Sequence, residues 1–204
     1  MEDIKEKIMD IKKTDENVIN DLYSCGELKI LIKGFNPNSQ DIKSIYDKIK
    51  NTHKSTNIII LRPELIFGLE HILGIIKIIY EESERDDKKL KNIDVEFLLR
   101  ICYTNQIKYA LDILKCENKN NFDGYIVYIL FSKSSDLLMD AYRDMIKLGK
   151  DHDAANLIQI SQFKRSFILE QFFKKELKFL ENNNILKNDD DFQKFLIERA
   201  AIAL

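Results

Sequence analysis

Three histidines, His53, His71 and His152, are the first residues to consider for proton or metal chemistry, and they stand far apart in the sequence. No HxxxH, HxE or CxxC spacing brings two ligands onto one helical face or into one tight turn, so no metal site is expected. Neither GxxxxGK[ST] nor GxGxxG occurs to cradle a phosphate, and no GxSxG marks a nucleophile. We therefore expect no catalytic residue, no metal and no cofactor.

What the chain does offer is a binding constellation. Leu98 to Lys108 reads as a strand running into a helix, with Arg100 on the less apolar face of the strand and Asn105, Gln106 and Lys108 where the helix opens. A guanidinium, two amides and free backbone N–H groups suit a phosphate or an unpaired base. The alternative is that Arg100 pairs with Asp94 or Glu96 on its own face. A second cationic stripe lies between Phe163 and Leu180, where Lys164, Arg165, Lys174, Lys175 and Lys178 outnumber Glu170 and Glu176. It either tracks phosphates or forms an ordinary solvated face.

These residues need a scaffold, and composition limits what it can be. With 204 residues, 45% hydrophobic and 32% charged, the chain can bury a core but is short for two ordinary domains. Lys+Arg 32 against Asp+Glu 34 leaves a net charge of -2, which excludes a wholesale polyanion coat and confines any nucleic-acid contact to a patch. Gly 6 and Pro 2 are too few for a many-turned β-sandwich. Cys25, Cys102 and Cys116 suit a reducing compartment better than a disulfide framework, and Met1 to Lys5 opens no export signal, so the cytoplasm is expected. The most apolar run, Leu65 to Tyr80, is too short and too charged to span a bilayer.

The periodicity predicts an α/β (α+β) fold, a small mixed sheet of about four strands packed with several helices in one domain over 27–204, after a helical extension over 1–26. Ile4, Ile8, Ile11, Val18, Ile19 and Leu22 set the helical spacing of that extension. Strands are expected at Leu28–Lys33, ended by Gly34, at Asn57–Leu61, at Ile93–Ile101 from its strict alternation, at Tyr125–Phe131 as a central strand, and at Leu157–Ile160. Helices are expected from Ile42 to about Lys50 behind an Asp41 cap, and from Pro63 to about Glu82. Others follow Thr104, follow Ser134 or Ser135, run from about Gln162 to Glu181, and run from Phe192 to Leu204. Glu81 to Lys91 and Asn182 to Asp191 read as polar loops.

Phe97-Leu98-Leu99-Arg100, Gln106-Ile107, Ala110 and Leu111 resemble the pattern I/F-L-x-R-x-x-x-x-x-Q-I-x-x-A-I/L of the small non-catalytic subunit family of the KEOPS/EKC complex. Arg62-Pro63-Glu64-Leu65-Ile66, Tyr125 to Phe131, Ile160-Ser161-Gln162-Phe163-Lys164 and the closing Leu196 to Leu204 are similar to further family segments in the same order, covering about 28–204. Asn105 stands where archaeal members often carry a basic residue.

The resemblance implies a non-enzymatic subunit that binds the kinase-like ATPase of the complex through an apolar helical surface. It also implies binding of the single-stranded 3′ CCA end of tRNA, in support of threonylcarbamoyladenosine formation by other subunits. On it, Arg100, Asn105, Gln106, Lys108, Lys164 and Arg165 are expected to face tRNA. Ile75, Ile78, Ile79, Ala200, Ile202 and Leu204 are expected to face the partner, because the helix over 65–80 is apolar nearly all round and needs cover from the domain or from another protein. A homodimer of the isolated chain through any apolar surface left open without its partner, and no membrane partner, complete the expectation. The alternative function is a stand-alone α/β protein-interaction domain without an RNA role.

Overall fold

A computed structural model describes residues 12–13, 21–37, 41–85, 92–114 and 124–203. The expected helical extension lies largely outside them, as does Leu204; where 1–26 is described it is strand and turn. The fold is a mixture of α and β, as expected, and the chain gathers into two compact units, residues 1–63 with 117–157 and residues 64–116 with 158–204.

The first unit is built on a six-stranded sheet in the order β1-β2-β3-β5-β4, with β6 also on β3. The strands are β1 (Lys12–Lys13), β2 (Leu22–Cys25), β3 (Leu28–Asn36), β4 (Asn57–Leu61), β5 (Ile126–Ser132) and β6 (Lys150–His152). Every described pairing is antiparallel. β2 and β3 form a hairpin around Gly26, whose φ of 55° is the left-handed conformation such a turn needs. β5 is buried along its whole length between β3 and β4, which explains its unbroken aromatic and β-branched run. Gly34 does not end β3 but lies inside it; a Cβ there would come within 2.7 Å of Leu157 Cδ1 and 3.1 Å of the His152 carbonyl, so glycine admits β6 beside it.

Two helices, α1 (Ile42–Thr52) and α5 (Ser135–Ile146), pack on this sheet. Asp41 caps α1 by accepting from the Ser44 amide at 3.0 Å, and Ser134 caps α5 by accepting from Leu137. His53 joins the two through Asp144 at 2.9 Å.

The second unit is helical: α2 (Leu69–Arg85), α3 (Ile93–Ile101), α4 (Ile107–Leu114), α7 (Gln162–Phe172), α8 (Leu177–Asn182) and α9 (Asp189–Ala201). Between the units in sequence lies α6 (Ala155–Ile158), a single helical turn where Leu157–Ile160 reads as strand. The largest correction is α3. Ile93 to Ile101 alternates like a strand, but Ile93, Phe97 and Ile101 also recur every fourth residue, and Phe97 and Ile101 are fully buried. Asp94 and Glu96 in its first turn and Arg100 in its last complement the helix dipole. α2 likewise starts six residues later than Pro63: a short turn at Pro63–Leu65 gives way to Gly68 at φ 92°, where a Cβ would strike Gln193 Nε2. The helix read across 162–181 breaks at Phe173 to Glu176, and α9 begins inside the expected loop, capped by Asn188.

Aromatic packing closes this unit. Phe67, Phe173, Phe192 and Phe195 join Ile168, Leu169, Leu180 and Leu196 in one buried cluster. Phe67 meets Phe192 edge-on at 4.8 Å, and Phe173 meets Phe195 at 4.9 Å.

Candidate functional site

The α3–α4 junction is ordered by its own backbone. Thr104 N–H donates to Leu99 O and Tyr103 N–H to Arg100 O, the paired bonds that close a helix when the next residue is left-handed. That residue is Tyr103, at φ 48°. Glycine is the usual occupant; a bulky side chain there carries strain of about 1–2 kcal/mol. α8 ends on the same pair of bonds with Asn184, which tolerates this conformation, at φ 59°. Thr104 Oγ1 then accepts from Gln106 N at 3.1 Å to open α4, as its sequence position predicts.

The strain at Tyr103 has a counterpart in its side chain. The ring packs edge-on to Phe172 and Phe173, with centroids at 5.1 and 4.8 Å, and its hydroxyl lies 2.9 Å from His71 Nε2. His71 is fully buried, and its Nδ1 accepts the Phe67 amide at 3.3 Å. That donor assigns the ring proton to Nε2, so Nε2–H donates to the Tyr103 hydroxyl. Burial, reinforced by the nearby Lys164 ammonium, holds the His71 pKa down at about 3, so the ring is neutral. Burial also drives the Tyr103 phenol well above its ordinary value. With both ring nitrogens engaged, His71 serves as a bridge between the Phe67 backbone and α3's end. Gln193 fixes the same segment by donating to Phe67 O at 2.8 Å.

Arg100 does not face a ligand. It is 2% exposed; Nη2 donates to Glu82 at 2.6 Å and to Glu96 at 2.9 Å, Nε donates to Glu96 at 3.2 Å, and Nη1 donates to the carbonyls of Ala200 and Ala201 at 2.9 and 3.2 Å. Of the alternatives open in the sequence, pairing with Glu96 is what forms, one helical turn away rather than across a strand face.

Lys164 and Arg165 are corrected in the same way: both are buried. Arg165 donates to Leu186 O at 2.6 Å and to Asp189, and its guanidinium lies over the rings of Phe67 and Phe192. Burial lowers the Lys164 pKa to about 8 against the opposing pull of Glu64. Asn105, Gln106 and Lys108 are exposed around the start of α4, so the six expected RNA-facing residues do not form one surface.

The expected partner surface is corrected too. Ile75, Ile79 and Ala200 are fully or almost fully buried within the chain's own fold, and Ile78 is half-buried. Gly74 admits Ile197 of α9 so closely that a Cβ would lie 2.7 Å from its Cδ1, which shows what covers this part of α2. Ile202 alone of the described residues in that set is well exposed, at 69%.

The helix expected after Thr104 forms as α4, but its exposed apolar face was not anticipated. Ile107 and Leu111, one turn apart, are 50% and 49% exposed; Tyr109, between them in sequence, and Phe163, at the start of α7, are also exposed. Gln171 of α7 reaches Tyr109 Oη at 3.5 Å. The signal was present: six of the eight residues of α4 are apolar in the sequence, while only Ala110 of the eight is buried.

Among the described residues no three His, Cys, Asp or Glu side chains gather as metal ligands, and no helix is long and apolar enough to cross a membrane. Cys25 and Cys102 are buried; burial raises the Cys102 pKa to about 12, far from a reactive thiolate. Compared with known proteins, the chain matches no protein-family model and no curated sequence.

Proposed function

We propose that this chain is a non-catalytic docking subunit of the KEOPS small-subunit kind. It binds a kinase-like ATPase and the 3′ CCA end of tRNA, in support of threonylcarbamoyladenosine formation carried out by other subunits. The observation that carries docking is the exposed apolar face of α4, where Ile107 and Leu111 lie half in solvent on a helix of the unit that also holds Tyr109, Phe163 and Ile202. Exposed large apolar residues gathered in one part of a small fold mark an interaction surface. The collinear resemblance over 28–204 supplies the kind of partner, and the cytoplasm is its expected compartment.

The docking surface differs from the one expected on 75–79, because α9 already covers that stretch at Gly74. Pull-down of the kinase-like ATPase by the full chain tests it. Ile107→Glu with Leu111→Glu lowers affinity at least tenfold; unchanged capture by the folded double variant refutes this surface.

A specific observation favours a second reading, protein docking without an RNA role: Arg100, Lys164 and Arg165 are committed to internal partners or buried, leaving Asn105, Gln106 and Lys108 as the exposed remainder. Gel shift with intact and CCA-trimmed tRNA separates the two. Preference for intact tRNA supports end recognition, and equal binding, or none, supports docking alone.

A further inference from the structure

We propose that Arg100 is a positioning residue that fixes the last turn of α9 and so presents Ile202 to an apolar, cation-rimmed pocket on the partner protein. This rests on the docking function above and extends it from α4 to a second contact.

The C-terminal carbonyls of a helix lack intrahelical donors, and such ends fray. α9 ends differently. The carbonyls of Ala200 and Ala201 both accept from Arg100 Nη1, at 2.9 and 3.2 Å, and the guanidinium is held in turn by Glu82 of α2 and Glu96 of α3. All three of its nitrogens are used. One residue earlier, Arg199 donates to Glu176 at 2.8 Å and lies over the Phe173 ring at 5.9 Å. The turn is thus gripped from two directions by residues of α2, α3 and the α7–α8 connection.

Directly after this grip stands Ile202, the most exposed large apolar side chain among those described. An apolar residue in solvent gains nothing for the fold by being held still. Holding it still does lower the ordering cost when a partner buries it. Because the two last carbonyls already have donors, the partner meets the Ile202 side chain rather than supplying a cap.

Charge sets the rest of the pocket. Two carboxylates, Glu82 and Glu96, surround one guanidinium and are themselves partly exposed. Exposed Glu198 adds a third carboxylate near the negative end of the α9 dipole. A rim of lysine or arginine around the partner's pocket complements this excess.

The test uses the full chain and the kinase-like ATPase, with backbone hydrogen exchange as the second readout. Arg100→Gln is expected to speed exchange at the last-turn amides of α9 at least tenfold while buried α2 amides keep their protection. It is also expected to lower partner affinity about tenfold, as Ile202→Glu does directly. Glu82→Gln removes one partly exposed partner of Arg100, leaves a folded chain, and gives a smaller loss of both kinds should Arg100→Gln fail to fold. Unchanged exchange, or unchanged affinity with faster exchange, in the folded variants overturns the positioning role even where Ile107→Glu/Leu111→Glu abolishes capture. If the native chain does not bind the kinase-like ATPase at all, the proposed function and this extension fall together.

Discussion

His71 makes the stability of the helical unit depend on pH. Its ring ordinarily titrates at 6.5 and is held at about 3 in the fold, first by burial and then by Lys164. Between these values the unfolded chain binds a proton that the folded chain refuses. The contribution is therefore complete above pH 6.5 and drains away as pH falls towards 3. Each unit of that window is worth about 1.4 kcal/mol, so acidifying from pH 6.5 to 5 removes about 2 kcal/mol. The depressed carboxyls do not enter between pH 6.5 and 5: Asp41, held down by Ser44, and Asp144, held down by Lys147 and His53, give up their contributions only as pH falls below the ordinary carboxylate value. Urea unfolding followed by circular dichroism at pH 7, 6 and 5 should show the loss in the native chain. His71→Gln, whose amide can donate to Tyr103 without titrating, should lack it. Parallel pH dependence in the two proteins would refute the placement of a buried neutral imidazole here.

Two further substitutions probe the same junction. Tyr103→Phe leaves His71 Nε2–H without its acceptor and should cost about 1–3 kcal/mol by denaturant titration, with the α3–α4 turn retained. Gly68→Ala combines a φ of 92° with a collision against Gln193 Nε2, and is expected to lower stability by about 2 kcal/mol or more; a neutral effect would show that the bend before α2 is not fixed as described.

How much was legible in the sequence depended on whether a signal was local. The Asp41 and Ser134 caps and the Thr104 bond to the Gln106 amide act within three residues, and each was visible and found in place. The uniform runs at Asn57–Leu61 and Tyr125–Phe131 also declared themselves, because a strand buried on both faces has no polar side to confuse the pattern. Ile93 to Ile101 misled because nine residues fit both periods, and because Arg100 looked like a solvent-facing cation. The Glu96–Arg100 spacing of four was the local signal for a helix. Nothing local announces that Arg100 reaches carbonyls a hundred positions away, or that Arg165 sits over Phe67 and Phe192. The candidate RNA surface was therefore the least legible part: it was drawn from cation spacing, and tertiary partners that spacing cannot reveal have claimed its strongest members. Gly34 failed for a related reason, since a glycine admitting a neighbouring strand looks in sequence like one that ends its own.

The order of the sheet carries a consequence for how the chain acquires its structure. β2 and β3 meet across a two-residue turn and can pair as soon as both exist, but β3 must wait for β5, which arrives about 90 residues later. All of α2, α3 and α4 lies inside that closing loop. A nascent chain halted before Ile126 therefore holds a hairpin whose long edge has no neighbour, and such edges are where strands of different molecules join. Synthesis or refolding that stalls in this interval leaves that edge open to aggregation, and a chaperone that shields β3 until β5 emerges would cover it for as long as it is unpaired.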